Sequence, residues 1–320
     1  MNQIIQPMYS VNRRKFIRQS AMSAGLLAVG QLPLDAFAKS TNKQELTILH
    51  TNDVHSRLDP FPMDGSKFQG MGGVLAREKI ISSIRNETEQ VLLLDSGDIF
   101  QGTPYFNKFQ GKPEMQVMSM LKYDAATLGN HDFDNGIEGL ANQLVHANFP
   151  FVNCNYDFTN TELENKIEPY TIIKKGKLKI GIFGVGIELQ GLVPDKLFGN
   201  IQYHNPIENA NKIAYFLKQK KRCDYIICLS HLGFEYKDNK VSDKILAKES
   251  EHIHLILGGH THTFLDEPHK TKNRKNQEVI INQVGWAGIM LGRINIYFDN
   301  KEDYDYVSNF TAIEVKETSA

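Results

Sequence analysis

Residues 91–98 read Val91-Leu92-Leu93-Leu94-Asp95-Ser96-Gly97-Asp98, a continuous apolar run that breaks into a small residue, a glycine and an acid. A strand without polar alternation suits a sheet covered on both faces. The same plan recurs along the chain. Glu45–Leu49 reads as a strand ending at His50-Thr51-Asn52-Asp53. Asp124–Leu128, Phe149–Asn153, Leu178–Val185, Tyr225–Leu229, Ile253–Leu257 and Glu278–Val284 read as further strands, and Ile289–Phe298 as a last one with alternating character. Apolar residues recur at helical spacing over Val74–Ile84, Met115–Leu121, Ile207–Lys220 and Val241–Lys248. Strands alternating with helices predict a layered α/β domain. The loop from Leu58 to Gly73 is rich in Gly, Pro and Asp, and the polar tail after Asn309 is expected to be loose.

Polar residues gather where the apolar runs stop. The clusters are Asp53-Val54-His55, Gly97-Asp98, Gly129-Asn130-His131-Asp132, Ser230-His231 and Gly259-His260-Thr261-His262. Loops at the carboxyl ends of strands are where α/β sheets collect ligands, so five segments distant in sequence are expected to converge on one pocket. Taken singly, most clusters read more readily as a turn or a satisfied core histidine, with His260-x-His262 the strongest exception; together they do not, because packing alone has no reason to repeat the pattern. The glycines fit tight turns and close backbone approach. Asp53, His55, Asp98, Asn130, His231, His260 and His262 are oxygen and nitrogen donors with no cysteine among them, a set that suits Zn, Mn or Fe. Seven candidates are too many for one tetrahedral zinc and fit two divalent metal ions sharing a carboxylate.

In this order the motifs resemble the calcineurin-like metallophosphoesterases, and within them the N-terminal catalytic domain of periplasmic 5′-nucleotidases. The resemblance runs from about residue 45 to 298. It is carried by Ile48-Leu49-His50-Thr51-Asn52-Asp53-Val54-His55, by Asp95 to Thr103, by Leu128-Gly129-Asn130-His131-Asp132-Phe133-Asp134-Asn135-Gly136 and by Gly258-Gly259-His260-Thr261-His262-Thr263. It implies a four-layer αββα sandwich of two sheets flanked by helices. It implies that Asp53, His55 and His262 hold one metal, that Asn130, His231 and His260 hold the other, and that Asp98 bridges them. His131 is similar to the family's catalytic histidine and Asp134 to the acid that orients it; the plain alternative for Asp134 is a turn residue. Substrate contacts are expected from Asn130, His131 and Trp286, the last in a glycine-flanked loop, Gly285-Trp286-Ala287-Gly288, where a core aromatic is the bland reading. The implied activity is hydrolysis of phosphate esters, foremost nucleotide phosphomonoesters. In the family a second domain clamps the nucleobase, whereas this sequence ends at Ala320. The expectation is loose specificity by the lone chain, a separate polypeptide that completes the pocket, or a cyclic-nucleotide or nucleotide-sugar phosphodiesterase. A non-catalytic metal-binding module predicts an eroded ligand, and none is eroded.

The remaining composition narrows the partners. The chain has 320 residues and a formal net charge of -1, so nothing in its charge favours nucleic acid, and a small phosphorylated molecule is the expected ligand. A Lys/Arg cluster at Lys270–Lys275 reads as a solvated loop. Cys154, Cys223 and Cys228 read as buried inert thiols, with a Cys223–Cys228 bridge left open for an oxidising compartment. At the N-terminus, Arg13-Arg14-Lys15-Phe16 opens a basic segment, a short Ala/Gly-rich apolar stretch follows, and Ala36-Phe37-Ala38 forms a small-x-small cleavage site. This resembles a twin-arginine signal. Residues 1–38 are therefore expected to be a signal peptide, residues 39–320 the catalytic domain, and the destination the periplasm, without a stable membrane span.

Overall fold

The structure, a computed structural model, describes residues 44–298 and 307–316. The expected signal peptide lies outside the described residues. The described residues belong to one compact unit. In chain order its strands begin with β1 (Gln44–Thr51), β2 (Val91–Asp95), β3 (Ala125–Ala126), β4 (Phe151–Val152), β5 (Tyr156–Asp157), β6 (Ile167–Glu168), β7 (Tyr170–Lys175) and β8 (Leu178–Gly186). They continue with β9 (Gln202–Tyr203), β10 (Tyr225–His231), β11 (Leu255–Leu257), β12 (His269–Lys272), β13 (Glu278–Asn282), β14 (Met290–Phe298) and β15 (Val307–Glu314). One sheet has the order β15-β14-β1-β2-β3-β4-β6, a second β12-β13-β11-β10-β8-β7, and β5 pairs with β9 in a small ribbon. Strands β1, β2, β3, β4 and β6 run parallel, as do β8, β10, β11 and β13; antiparallel strands close both edges of the second sheet and the β15 edge of the first.

Side-chain alternation divides the core into three layers of contact. Leu46 and Ile48 of β1 and Leu92 and Leu94 of β2 face Ile180, Ile182, Ile227, Leu229 and Leu257 of the other sheet. Leu49 and Leu93 point the opposite way, onto Ile81, Met115, Met118 and Leu140 of the helices covering the first sheet. Phe183, Ile226, Cys228 and Ile256 meet Ala210, Ala214, Leu217 and Leu246 of the helices on the second. This is the four-layer αββα sandwich, and it explains why these strands read as continuous apolar runs: both faces are buried. The layers approach closely in places. A Cβ on Gly184 of β8 would lie 2.0 Å from the Val152 carbonyl oxygen, so only glycine fits there.

Several expected elements differ in extent. The helix expected over 207–220 stops at Tyr215, after starting on Pro206 with the Asn205 side chain capping the amides of Ile207 and Glu208; Phe216–Lys220 is a π-turn. The tail expected to be loose carries β15, which pairs antiparallel with β14 over eight residues; its polar residues read as a tail because the strand sits at a sheet edge. The Lys270–Lys275 cluster is not a plain loop. Lys270 lies on β12 opposite Ile280 and meets Glu278, Arg274 meets Glu249 and Lys275 meets Glu251. Strand β7 and a helix at Gly136–Leu144 were not expected, although Ile137, Leu140, Ala141 and Leu144 stand at helical spacing. Cys154, Cys223 and Cys228 are all free, so the open Cys223–Cys228 bridge is not formed; Cys223 and Cys228 are buried and Cys154 half-buried. No helix among the described residues is long and apolar enough to cross a membrane.

The inter-sheet layer is expected to carry most of the stability. Ile227→Ala, at a fully buried position, should lower the free energy of unfolding in urea by about 2–5 kcal/mol. Leu75→Ala, at a side chain 69% exposed, should change it by less than about 0.5 kcal/mol. Equal effects would show that the layer is not packed as described.

Candidate active site

The parallel strands of both sheets end along one edge of the sandwich, and the loops that leave them meet there. Strand β1 delivers Asp53 and His55, β2 delivers Asp98, the segment after β3 delivers Asn130 and His131, β10 ends on His231, and the loop after β11 carries His260 and His262. All seven expected ligands come together. One group is Asp53, His55 and His262: the two imidazole Nε2 atoms are 3.0 Å apart, and His262 Nε2 lies 3.3 Å from Asp53 Oδ1. The other is Asp98, His231 and His260, with Asn130 Oδ1 2.8 Å from His260 Nδ1. Asp98 Oδ2 lies 3.1 Å from His231 Nε2 and 3.8 Å from His55 Nε2, so this carboxylate touches both groups.

Local backbone makes this density attainable. Asp53, His55, Asp98, His260 and His262 all have φ between 50° and 71°, the left-handed region, which costs of order 1–3 kcal/mol each for a residue with a Cβ. Glycines admit the close approach. A Cβ on Gly129 would stand 2.1 Å from Asp98 Oδ1, and one on Gly259 would stand 2.8 Å from His231 Nδ1. The strained turns are held by hydrogen bonds. His55 Nδ1 meets the Phe100 carbonyl at 3.1 Å and His231 Nδ1 the Ser96 carbonyl at 2.6 Å, which leaves Nε2 of each ring toward the centre. Asn52 donates to Asp53 Oδ2 and to the Gly285 carbonyl, both at 2.6 Å, and accepts from the Val284 amide. It thereby fastens the Trp286 loop to the end of β1.

Asp132 stood in one of the polar clusters of the sequence, but sequence reasoning gave it no role. Its Oδ1 accepts from the amides of Ile99 and Phe100, and its Oδ2 from those of Asp98 and Gly129. One buried carboxylate thus ties the loop after β2 to the loop after β3. Burial, with the neighbouring Asp98 charge, raises its pKa to about 7. The signal was present, since Asp132 follows His131 directly, but it is shared with any turn acid.

The electrostatics fit cations. Burial lowers the pKa of His55, and burial together with His231 lowers that of His260 to about 4. These imidazoles are neutral and free to donate a lone pair. Burial pushes the Asp98 carboxyl upward, but His231 and His55 outweigh it and hold the group well below the usual range. Burial likewise opposes the charge on His231, yet Asp98 and Asp53 raise it to about 10. His231 Nε2 is buried without a well-aligned hydrogen bond among the described residues. Two imidazole nitrogens that face each other at 3.0 Å, beside buried carboxylates, form a donor set that suits divalent cations.

His131 stands apart from the two groups. Its backbone amide donates to Asp98 Oδ1 at 2.8 Å, and its Nδ1 meets Asp134 Oδ2 at 2.8 Å. The hydrogen bond to Asp134 raises its pKa above the ordinary histidine value, against the opposing effect of burial. The ring of Trp286 stacks on that of His262, with centroids 5.7 Å apart and planes 9° from parallel. A cavity of about 210 Å³ opens over the centre, lined by His55, Arg57, Gln101, Gly102, His131, His262, Trp286 and Ala287. Trp286 is therefore neither a core aromatic nor a free platform, since one face backs an expected ligand.

Residues 46–264 match the family described as calcineurin-like phosphoesterase. The chain belongs to the calcineurin-like phosphoesterases. Similar curated proteins include the snake venom 5′-nucleotidase of Crotalus adamanteus, 34% identical over 290 residues that cover 83% of this chain and 47% of that protein. Among solved structures, the 5′-nucleotidase precursor of Thermus thermophilus is 31% identical with a TM-score of 0.76, covering 85% of this chain and 55% of that one. The NAD nucleotidase of Haemophilus influenzae is 26% identical with a TM-score of 0.74, covering 86% of this chain and 51% of that one. The chain spans about half the length of the curated relatives it matches.

The four amides gathered by Asp132 set a test. Asp132→Asn replaces an acceptor with an amide group that faces backbone donors, and a buried polar group left unpaired costs about 1–3 kcal/mol. Unfolding in urea should show a loss of that size, and Mn²⁺ titration an affinity at least tenfold weaker. Unchanged stability and Mn²⁺ binding would remove Asp132 from its positioning role.

Proposed function

We propose that this phosphoesterase hydrolyses phosphate monoesters of nucleotides at a centre of two divalent metal ions. Asp53, His55 and His262 would hold one ion, Asn130, His231 and His260 the other, and Asp98 both. The observation that carries this reading is the buried carboxylate of Asp98, which touches both ligand groups through Oδ2 and accepts the His131 amide through Oδ1; Asp53 Oδ1 also lies 3.3 Å from His262 and 3.9 Å from His231. The ions, when bound, would lower the pKa of an attacking water and offset the charge of the phosphoryl oxygens.

The chain's own residues supply the rest. His131 lines the cavity and offers a hydrogen bond to the phosphoryl oxygen on which charge grows. Asp134 fixes the ring through Nδ1, so the imidazole does not have to be oriented during the reaction. The tie from the His131 amide to Asp98 keeps that donor in register with the ligands. Losing such a donor raises a barrier by about 3–4 kcal/mol. Trp286 backs His262 and closes one wall of the cavity, which limits water around the ester. Nucleotides are favoured as substrates by the names of the relatives. We further propose that residues 1–38 direct export to the periplasm, and that a separate polypeptide can supply base contacts beyond this domain.

His131→Ala should retain two metals per chain by elemental analysis after Mn²⁺ reconstitution, while turnover of adenosine 5′-monophosphate falls at least a hundredfold. Asp98→Ala should empty the site. Near-full turnover in the first variant, or full metal in the second, overturns the assignment. Replacing Arg13-Arg14 with Lys-Lys should leave the protein in the cytoplasm by cell fractionation; unchanged export would rule out the twin-arginine route.

A further inference from the structure

A second cavity, of about 310 Å³, opens between the β5–β9 ribbon, the stretch that leaves β8, and the short helix Asp195–Phe198. It shares no lining residue with the cavity over the ligand groups. Its walls are largely aromatic. Tyr156 of β5 and Tyr203 of β9 have ring centres 6.2 Å apart and planes inclined by 52°, and Phe198 supplies a third ring. Buried Leu189 and Ile201 add aliphatic surface. The Tyr156 ring is fixed from two sides. Its hydroxyl donates to the Ile187 carbonyl, and the ring packs edge-on against Phe133 at 6.0 Å, in the turn that carries His131. Gly186 makes that position possible, because a Cβ there would lie 2.4 Å from the Tyr156 ring. Tyr203 keeps its proton, since burial and the Glu188 carboxylate push its pKa up to about 12.

Among the described residues that line the cavity, Glu188 is the one that carries a charge, and it makes no ion pair with a described residue. The hollow therefore offers aromatic rings, whose faces are negative, and one carboxylate, with no cation to balance them. A phosphorylated molecule has nothing to meet there. A primary ammonium would bring its N–H donors against walls that are mostly carbon and leave some unpaired. An ammonium that carries methyl groups in place of those hydrogens has no donors to satisfy and buries the methyls on apolar surface. We infer that this cavity binds a small methylated ammonium ion, with the rings of Tyr156, Phe198 and Tyr203 around the cationic head and Glu188 at the mouth as its counter-ion. The inference goes beyond the phosphoesterase reading and does not depend on it, since none of these side chains belongs to the ligand groups or to the His131–Asp134 pair.

Choline and its uncharged isostere 3,3-dimethylbutan-1-ol serve as probes, titrated into the full, Mn²⁺-loaded chain by calorimetry at fixed ionic strength. Choline should bind about tenfold more tightly than the alcohol, because the charge is what the rings and the carboxylate recognise. Tyr203→Leu keeps apolar bulk but removes a ring; it should weaken choline about tenfold and leave the alcohol nearly unchanged. Glu188→Gln, at an exposed side chain, should weaken choline about threefold. Circular dichroism and Mn²⁺ content should match the wild type in both variants. Equal affinity of the wild-type protein for the two probes, or no binding of choline, would overturn the inference whether or not the variants fold. Choline binding that survives Glu188→Gln and Tyr203→Leu undiminished would place the ion elsewhere on the chain and overturn it as well.

Discussion

Two carboxylates, Asp53 and Asp98, are buried side by side among imidazoles, and most of the surrounding structure exists to make that tolerable. An isolated carboxylate taken from water would cost far more than a single domain has to spare. Here each acid lies within 4.0 Å of histidine nitrogens from more than one loop. The imidazoles alone leave the balance incomplete, since burial disfavours a proton on His55 and His260 whereas the neighbouring carboxylates keep one on His231. The cluster has the charge and the donor atoms of a site that completes itself with cations.

The same constraint accounts for the strained backbone. To bring five loops to one point, the chain places ligands in the left-handed region and then secures each turn elsewhere. Asp132 gathers four amides, Asn52 bridges β1 to the Trp286 loop, and carbonyls of Ser96 and Phe100 fix two imidazoles. None of these groups belongs to the ligand set. They convert a set of mobile loops into a rigid centre, which is what preorganised catalysis requires.

The sandwich supplies the rigidity from below. Parallel strands buried on both faces stop at a common edge, so the ends of β1, β2, β10 and β11 are fixed before any loop is built. The rim segment from Arg57 to Gly73 is held by backbone hydrogen bonds, among them Phe61 to Met71, Gly70 to Phe61 and Val74 to Leu58, and by aromatic contacts among Phe61, Phe68 and Trp286.

By itself the sequence determined the layered fold, the strand ends that carry chemistry and all seven candidate ligands, because apolar runs that stop at glycine and a metal-type donor leave a local signature. It also placed His131 and Asp134 together, since three residues of separation across one turn bring Nδ1 and Oδ2 within hydrogen-bond reach. Only the tertiary structure decided the rest. The polar tail became strand β15 because β14 offered an unpaired edge, a property of the sheet and not of the tail. Trp286 backs His262 because a loop from the second sheet is pinned by Asn52 from the first. Asp132 looks like an ordinary turn acid in sequence. Its part depends on which amides surround it, and such a relation arises only when distant segments are packed in three dimensions.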